Sequence, residues 1–236
     1  MIVELIAHTV VTGWGHMRDA GWVDHLDVRG DEYDISQSPD IDADYLAEFA
    51  GRLCYQSWDR PNPATATNAG YLANIIGQQH YSVLEHSSAT FYVAGVSRSL
   101  SHELVRHRHL SFSQVSQRYV DERNAQVITP PALVSEGDPE LRAYIKGAMG
   151  SAQAVYQAIV ETLTQRGHSR KEARQAARSV LPNATETKLV VTGNMRAWRD
   201  VIAKRISPHA DAEIQLLAQK ILAHLKTIAP STFQDM

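Results

Sequence analysis

Residues 106–119 read Arg106-His107-Arg108-His109-Leu110-Ser111-Phe112-Ser113-Gln114-Val115-Ser116-Gln117-Arg118-Tyr119. Nearly every side chain in this stretch that is not apolar can donate a hydrogen bond. Arginine forks match the oxygens of phosphate two at a time, and the neighbouring hydroxyl and amide groups add further donors. The stretch therefore predicts a binding site for an anion, with phosphate as the best fit. A solvated basic surface is the plain alternative, and the crowding of polar donors beside the arginines weighs against it.

The composition indicates an ordinary globular protein. Of the 236 residues, 44% are hydrophobic and 21% are charged, so we expect one sizeable core and a single domain over residues 1–236. The formal net charge of −3 argues against non-specific binding to nucleic acid. The one cysteine, Cys54, cannot form an intrachain disulfide, and we expect it to pack in the core or against a helix. We find neither a secretory signal nor an apolar run of roughly 18 residues, and expect a cytoplasmic protein that does not cross a membrane.

The hydrophobic periodicity predicts an α+β fold, with a mixed or antiparallel sheet flanked by several helices. Strands are predicted at residues 2–11, 88–96 and 185–192. Helices are predicted at 44–56, 67–79, 99–107, 141–166 and 211–228, from a capping box at Ser169 to Pro182, and from the cap Asn194 to about residue 205. Residues 14–44 and the stretch after residue 107 are predicted to be loops, and Pro61 and Pro63 are expected to interrupt regular structure.

The predicted helix at 141–166 has a long apolar stripe. This stripe is compatible with a subunit interface and equally with the core of a monomer. Its members recur at helical spacing: Leu141, Ile145, Ala148, Ala152, Val155, Ile159 and Leu163.

Two other segments contribute arginines. Arg174 and Arg178 are one helical turn apart and should share a face. In the helix capped by Asn194, Arg205 falls on the same side as Trp198 and other apolar residues. Because an unpaired buried guanidinium is costly, Arg205 needs an anionic or strongly polar partner, which is either a core carboxylate or a ligand.

Two histidine-rich segments raise the question of a metal. The segment from His80 to His86 could be a metal site or a pair of capped core histidines. His102 and His107 are five residues apart, whereas a zinc helix needs histidines four apart on one face. We therefore predict no metal site and regard a zinc hydrolase as nearly excluded.

The order Arg-His-Arg, seven residues, Ser116, and Arg118 two residues further on resembles the signature of the flavin-dependent thymidylate synthases. The resemblance extends from about Leu46 to Glu213. It implies an enzyme that methylates dUMP at C5 to give dTMP, with methylenetetrahydrofolate as carbon donor and FAD relaying hydride from NADPH. It also implies a homotetramer whose active sites are each assembled from several subunits.

The resemblance also implies roles for individual residues. Arg205 would lie at the uracil as the catalytic cation. The guanidinium groups of Arg106, Arg178 and Arg205 would converge around the nucleotide. The dUMP set is Glu103, Leu104, Val105, Arg106, Gln114, Val115, Ser116, Gln117, Arg118, Arg178 and Arg205. The FAD set is Ser82, Arg106, His107, Arg108, Gln114, Asn194, Met195, Arg196 and Asp200.

The sequence departs from the family pattern at three of these positions. Many relatives have Gln in place of Glu103, Glu in place of Gln114, and Asn or His in place of Asp200. An acid at position 200 could repel the cofactor phosphates unless Arg196 or Arg199 compensates. These changes motivate one alternative function, that of a non-catalytic flavin- or nucleotide-binding relative.

Ser116 has two possible roles. A serine needs a nearby base to act as a nucleophile, and its hydroxyl is also a good ligand for phosphate. We favour the ligand role.

Overall fold

The computed structural model describes residues 1–22, 41–59 and 62–236. Its centre is a four-stranded sheet in the order β1-β2-β4-β3, in which each neighbouring pair is antiparallel. This arrangement confirms the predicted α+β class. The strands are β1 (Ile2–His8), β2 (Ser88–Ser97), β3 (Ser111–Gln114) and β4 (Glu186–Asn194).

Nine α-helices are found in the described residues, and none of these is long and apolar enough to span a membrane. They are α1 (Trp14–Asp19), α2 (Asp42–Tyr55), α3 (Asn68–Gly77), α4 (Arg98–Leu104), α5 (Pro131–Ser135), α6 (Pro139–Gln165), α7 (Arg170–Ala177), α8 (Met195–Arg205) and α9 (Ala212–Ile228).

The main core lies between one face of the sheet and the helices α8 and α9. Phe91 of β2 and Trp198 of α8 are both fully buried, and their rings meet edge to face at 5.1 Å. The indole nitrogen of Trp198 also donates to the carbonyl of Ala89 at 3.1 Å. These contacts fix α8 against the central strand β2. The opposite face of α8 is therefore held at the protein surface in a fixed orientation relative to the sheet.

The helix starts follow the capping signals. Asn194 accepts a hydrogen bond from the main-chain nitrogen of Ala197 at 2.8 Å, so the predicted cap of α8 is confirmed. The capping box of Ser169 and Glu172 is also present at the start of α7. Ser97 caps α4 and itself binds the carboxylate of Glu213. This last contact ties the start of α9 to the start of α4.

Two glycines allow close approaches in the sheet. Gly95 has a φ of +65° at the irregular register of β2, and its nitrogen donates to Glu186 of β4. A Cβ on Gly193 would overlap the side chain of Leu110. The small residue at the end of β4 therefore lets the signature segment pack against the sheet.

The structure corrects several predictions made for single segments. Part of the predicted loop 14–44 is the short helix α1, while residues 23–40 and Pro61 lie outside the described residues. The supposed loop after residue 107 contains β3. Cys54 is exposed rather than in the core, because α2 buries the side that carries Ala47 and Gly51.

The α6 and α7 predictions also need correction. The buried side of α6 carries Met149, Tyr156 and Val160, whereas Val155 of the predicted stripe is 48% exposed. The reason is that α6 forms its own small core with α7 and little else. Helix α7 ends at Ala177, and residues 178–180 form a separate 3₁₀ turn, so Arg178 lies beyond the α-helix.

Candidate active site

The signature segment begins with a tight turn that follows α4. The main-chain nitrogens of Arg106, His107 and Leu110 each donate to the carbonyl three residues earlier. Leu104 and Leu110 are buried on either side of this turn, at 0% and 8% exposure. The apolar pair anchors the turn in the core and leaves Arg106, Arg108 and His109 exposed between them.

Arg205, at the end of α8, reaches this turn. Its Nη1 donates to the carboxylate of Glu103 at 2.7 Å, and its Nη2 donates to the carbonyl of the same residue at 3.2 Å. Its Nε lies 2.8 Å from Nε2 of His107. The partner that the sequence required for Arg205 is therefore a carboxylate of the same chain, although the guanidinium also borders a cavity.

That cavity has a volume of about 440 Å³ and brings Arg106 and Arg205 together. Two cationic groups beside one carboxylate leave an excess of positive charge, which suits an anionic ligand. The lining residues are Ser99, His102, Glu103, Arg106, Asn183 and Arg205.

Three further cavities, of about 210, 430 and 360 Å³, follow the outer face of α8. Neighbouring cavities share lining residues. Arg106 lines both the 440 Å³ and the 210 Å³ cavity, and Asp200 lines all three of the cavities along α8. We call the three cavities along α8, without the 440 Å³ cavity, the α8 groove. Its lining is Tyr81, Glu85, Arg106, His107, Arg108, His109, Leu110, Asn194, Arg196, Ala197, Arg199, Asp200, Val201, Ala203, Lys204 and Met236.

Asp200 is compensated, but not by the residues that the sequence suggested. Its carboxylate pairs with Lys204 at 2.7 Å. Arg196 pairs with Glu85, and Arg199 is buried against Asp235. The negative charge in the α8 groove is therefore neutralised from the next turn of the same helix.

His107 lies between Arg205 and Asp200. Only 8% of its side chain is exposed, and its Nδ1 lies 3.8 Å from Asp200. Burial lowers the pKa of His107, Arg205 lowers it further, and Asp200 acts in the opposite direction. The ring is therefore neutral at neutral pH.

The second half of the signature forms a separate group. Gln114, on β3, donates to the hydroxyls of Ser101 and Thr187 at 3.0 and 3.1 Å. Arg98 donates to the carbonyl of Val115 at 2.8 Å and so holds the start of the loop that contains Ser116, Gln117 and Arg118. Burial lowers the pKa of Arg98, and the nearby positive charge of Arg178 acts in the same direction. Arg178 is thus close to this loop.

We call Gln114–Arg118 with Arg178 the loop cluster. None of its residues lines the 440 Å³ cavity or the α8 groove. Within one chain, Arg106 and Arg205 therefore lie together at the 440 Å³ cavity, while Arg178 lies near the loop that contains Ser116 and Arg118.

The loop cluster has hydrogen-bond donors to spare. No described residue accepts from the buried Nε atoms of Arg98, Arg118 or Arg174. Only Arg118 of these three belongs to the loop cluster, and because buried donors are normally satisfied, its Nε indicates a place in the cluster where an anion can bind.

Four other predicted site residues line none of the cavities described above. Leu104 and Met195 belong to the core, at 0% and 1% exposure, so their side chains cannot line a cavity. Val105 is exposed, and Ser82 is exposed on the turn that packs against α8. No group of three or more His, Cys, Asp and Glu side chains suited to a metal is found in the part of the chain that the structure describes.

Lys204, His109 and Glu85 are among the residues that line the α8 groove without having been predicted as site residues. Lys204 is four residues after Asp200, a spacing typical of a helical ion pair that could have revealed it. His109 lies within the signature, and Glu85 lies in the histidine-rich segment before β2.

Comparisons with known proteins identify the family. A family model described as "Thymidylate synthase complementing protein" matches residues 37–231. The flavin-dependent thymidylate synthase of Mycobacterium marinum is 53% identical over 210 residues, which cover 86% of this chain and 83% of that protein. The same enzyme of Mycolicibacterium gilvum is 54% identical over 210 residues, with coverage of 86% and 83%. That of Mycobacterium tuberculosis is 52% identical over 216 residues, which cover 86% of each chain. This chain, with its 440 Å³ cavity and its α8 groove, therefore belongs to the flavin-dependent thymidylate synthase family.

Proposed function

We propose that this chain makes dTMP from dUMP by reductive methylation at C5. The observation that carries the proposal is the meeting of Arg106 and Arg205 in one cavity, which shares Arg106 with the α8 groove. A cavity with excess positive charge suits the nucleotide, and the adjoining groove offers room for a second, larger ligand.

The reaction consumes dUMP, methylenetetrahydrofolate, NADPH and a proton, and yields dTMP, tetrahydrofolate and NADP⁺. The one-carbon unit leaves the folate and forms a bond to C5, while the hydrogen on C5 is lost as a proton. The two electrons that convert the methylene to a methyl group come from NADPH.

Arg205 is the proposed catalytic cation. A guanidinium fixed beside the pyrimidine stabilises the negative charge that develops on the ring as C5 attacks the one-carbon unit. Glu103 and His107 hold Arg205 in place before the substrate arrives. A group that is already oriented need not reorganise during the reaction.

The other predicted residues complete the dUMP site. Arg106 lies beside Arg205 in the cavity. The loop cluster would hold the phosphate, with Ser116 as a hydroxyl donor and Arg118 and Arg178 as charged donors. The unsatisfied Nε of Arg118 supports this assignment.

The α8 groove fits a flavin nucleotide. The positive end of the α8 dipole, Arg196 and Lys204 suit its phosphates, and Ala197 and Val201 offer an apolar floor. His107, Arg108 and Asn194 complete the proposed FAD set in this groove. FAD, when bound, relays hydride from NADPH.

We also propose a cytoplasmic homotetramer of one-domain subunits. The distribution of the proposed dUMP residues over two groups supports shared sites, since neither group alone contains all the arginines. Exposed apolar side chains on α6, Tyr144 at 64% and Val155 at 48%, supply surface for subunit contacts. A net charge of −3 supports the prediction that nucleic acid is not a partner.

Spectroscopy and an assay test the function. The purified protein should be yellow, and dUMP should change its flavin spectrum. It should oxidise NADPH and release dTMP in equal amounts when dUMP and methylenetetrahydrofolate are both present. Binding of flavin and dUMP without any dTMP would make this chain a non-catalytic relative.

A further inference from the structure

His107 is held at both of its ring nitrogens. Its Nε2 lies 2.8 Å from Nε of Arg205, and its Nδ1 faces a carboxylate oxygen of Asp200 at 3.8 Å. The second distance is too long for a direct hydrogen bond, and it places the negative carboxylate on the Nδ1 side of the ring. Because only 8% of the side chain is exposed, water cannot easily replace either contact.

The contact with Arg205 determines where the imidazole proton lies. The Nε of arginine always carries a hydrogen and cannot accept a hydrogen bond. Nε2 of His107 must therefore accept with its lone pair. A neutral imidazole has a single ring proton, so that proton lies on Nδ1, on the side of Asp200.

The same contact restricts Arg205. Glu103 binds only the two terminal nitrogens of the guanidinium. A guanidinium held from that side alone could still tilt. The acceptor at Nε supplies the third fixed point, so the plane that borders the cavity has one orientation.

We propose that His107 is a positioning residue, which aims Arg205 into the nucleotide cavity in its neutral, Nδ1-protonated form, and that Asp200 maintains the orientation of that form. This inference rests on the proposed function, since it takes Arg205 to be the group beside the pyrimidine. It also gives Asp200 a role through His107 rather than through contact with the flavin.

Acidification should break the arrangement. A second proton on His107 would set an N–H against the N–H of Arg205 and abolish the contact. Because burial and Arg205 lower the pKa of His107, the contact should persist below the pH at which an ordinary histidine becomes charged. The charged groups that face or flank the ring come from α8, from α4 and from the signature: Asp200, Lys204, Arg205, Glu103, Arg106 and Arg108.

Solid-state ¹⁵N NMR of the full-length, flavin-loaded protein labelled at histidine measures the tautomer directly. The His107→Gln variant identifies the His107 signal by its loss. We expect a neutral ring with the proton on Nδ1 at pH 7. A proton on Nε2, or a doubly protonated ring at that pH, would overturn the inference.

Two pairs of variants test the positioning role. Gln at position 107 can still accept from Arg205, whereas Leu is of similar size and cannot. We expect the turnover number of His107→Leu to be about tenfold or more below that of His107→Gln, with a smaller change in dUMP affinity. Asp200→Ala should likewise lower turnover further than Asp200→Asn, which keeps a polar side chain of the same shape facing Nδ1 of His107. Equal turnover within either pair would contradict the proposal.

The two proposals fail in different ways. A protein that makes no dTMP refutes the proposed function, and the NMR measurement still decides the tautomer. A protein that makes dTMP with Nε2 of His107 protonated refutes only the positioning role.

Discussion

Arg205 carries a permanent charge into a region where only 19% of its side chain stays exposed. The sequence left two explanations for such an arginine, a core carboxylate or a ligand. The structure gives it a carboxylate, Glu103, at the wall of a cavity. The pairing compensates the charge within the chain, while Arg205 still lines the cavity proposed for the substrate.

Replacing Arg205 by Ala should reduce turnover far more than flavin retention. The change removes the proposed cation beside the pyrimidine and leaves Glu103 without its partner. Hydrogen bonds to charged groups contribute about 1.5–3 kcal/mol, so we expect turnover to fall by roughly ten- to hundredfold or more. Turnover comes from the dTMP assay, and flavin retention from the ratio of flavin to protein absorbance. Arg205→Lys, which keeps the charge without the fork, should fall in between. Full activity in Arg205→Ala would remove the assignment.

Ser116→Ala separates a ligand from a nucleophile. If the hydroxyl binds phosphate, its loss should weaken dUMP binding by about tenfold and leave measurable turnover at saturating dUMP. Titration of the flavin spectrum with dUMP gives the affinity, and the dTMP assay gives the rate. The nucleophile role would instead be supported by complete loss of product with dUMP bound at wild-type affinity.

The elements show where local sequence signals suffice and where they do not. The start of α8 could be predicted because Asn194 and the apolar spacing after it are both local. β3 could not, because its four residues form a strand only by pairing with β4, far along the chain. The pairing of Arg205 with Glu103 joins residues 102 apart, and no local pattern encodes such a contact. The ion pair of Lys204 and Asp200, four residues apart, could have been predicted.

The contact between α2 and residues 231–232 should make stability depend on pH. Asp44 is 1% exposed, and its carboxylate accepts from the main-chain nitrogens of Ser231 and Thr232 at 2.7 and 3.0 Å. Burial raises the pKa of Asp44 to about 6, although these hydrogen bonds act in the opposite direction. In the unfolded chain the pKa is about 3.9.

Between these two pKa values the folded protein retains a proton that the unfolded chain has lost. The stabilisation from Asp44 is therefore complete below a pH of about 4 and is lost as the pH rises through about 6, by about 3 kcal/mol in total. Urea unfolding at several pH values checks this, with Asp44→Asn as the reference that does not titrate. The free energy of unfolding of the wild type, relative to the variant, should decrease across that range. An increase would mean that the hydrogen bonds outweigh burial.

At the scale of the whole molecule, the proposed dUMP residues of one chain fall into two groups. The end of α4 and the end of α8 bring Arg106 and Arg205 to one cavity. The turn after α7 places Arg178 beside Arg98 and the loop cluster. If each active site takes one group from one subunit and the other group from a neighbour, two inactive variants can restore each other.

Mixed tetramers of Arg205→Ala and Arg178→Ala subunits test this arrangement. With random mixing in equal amounts, a shared site has both groups intact in about a quarter of cases, so about a quarter of the wild-type activity should return. A site built within one chain would regain none, because every chain carries one defect. Mixing Arg205→Ala with Arg106→Ala is the matched control: both changes fall in the same cavity, so every site keeps a defect and no activity should return. Equal recovery in the two mixtures would show that the grouping of these arginines is wrong.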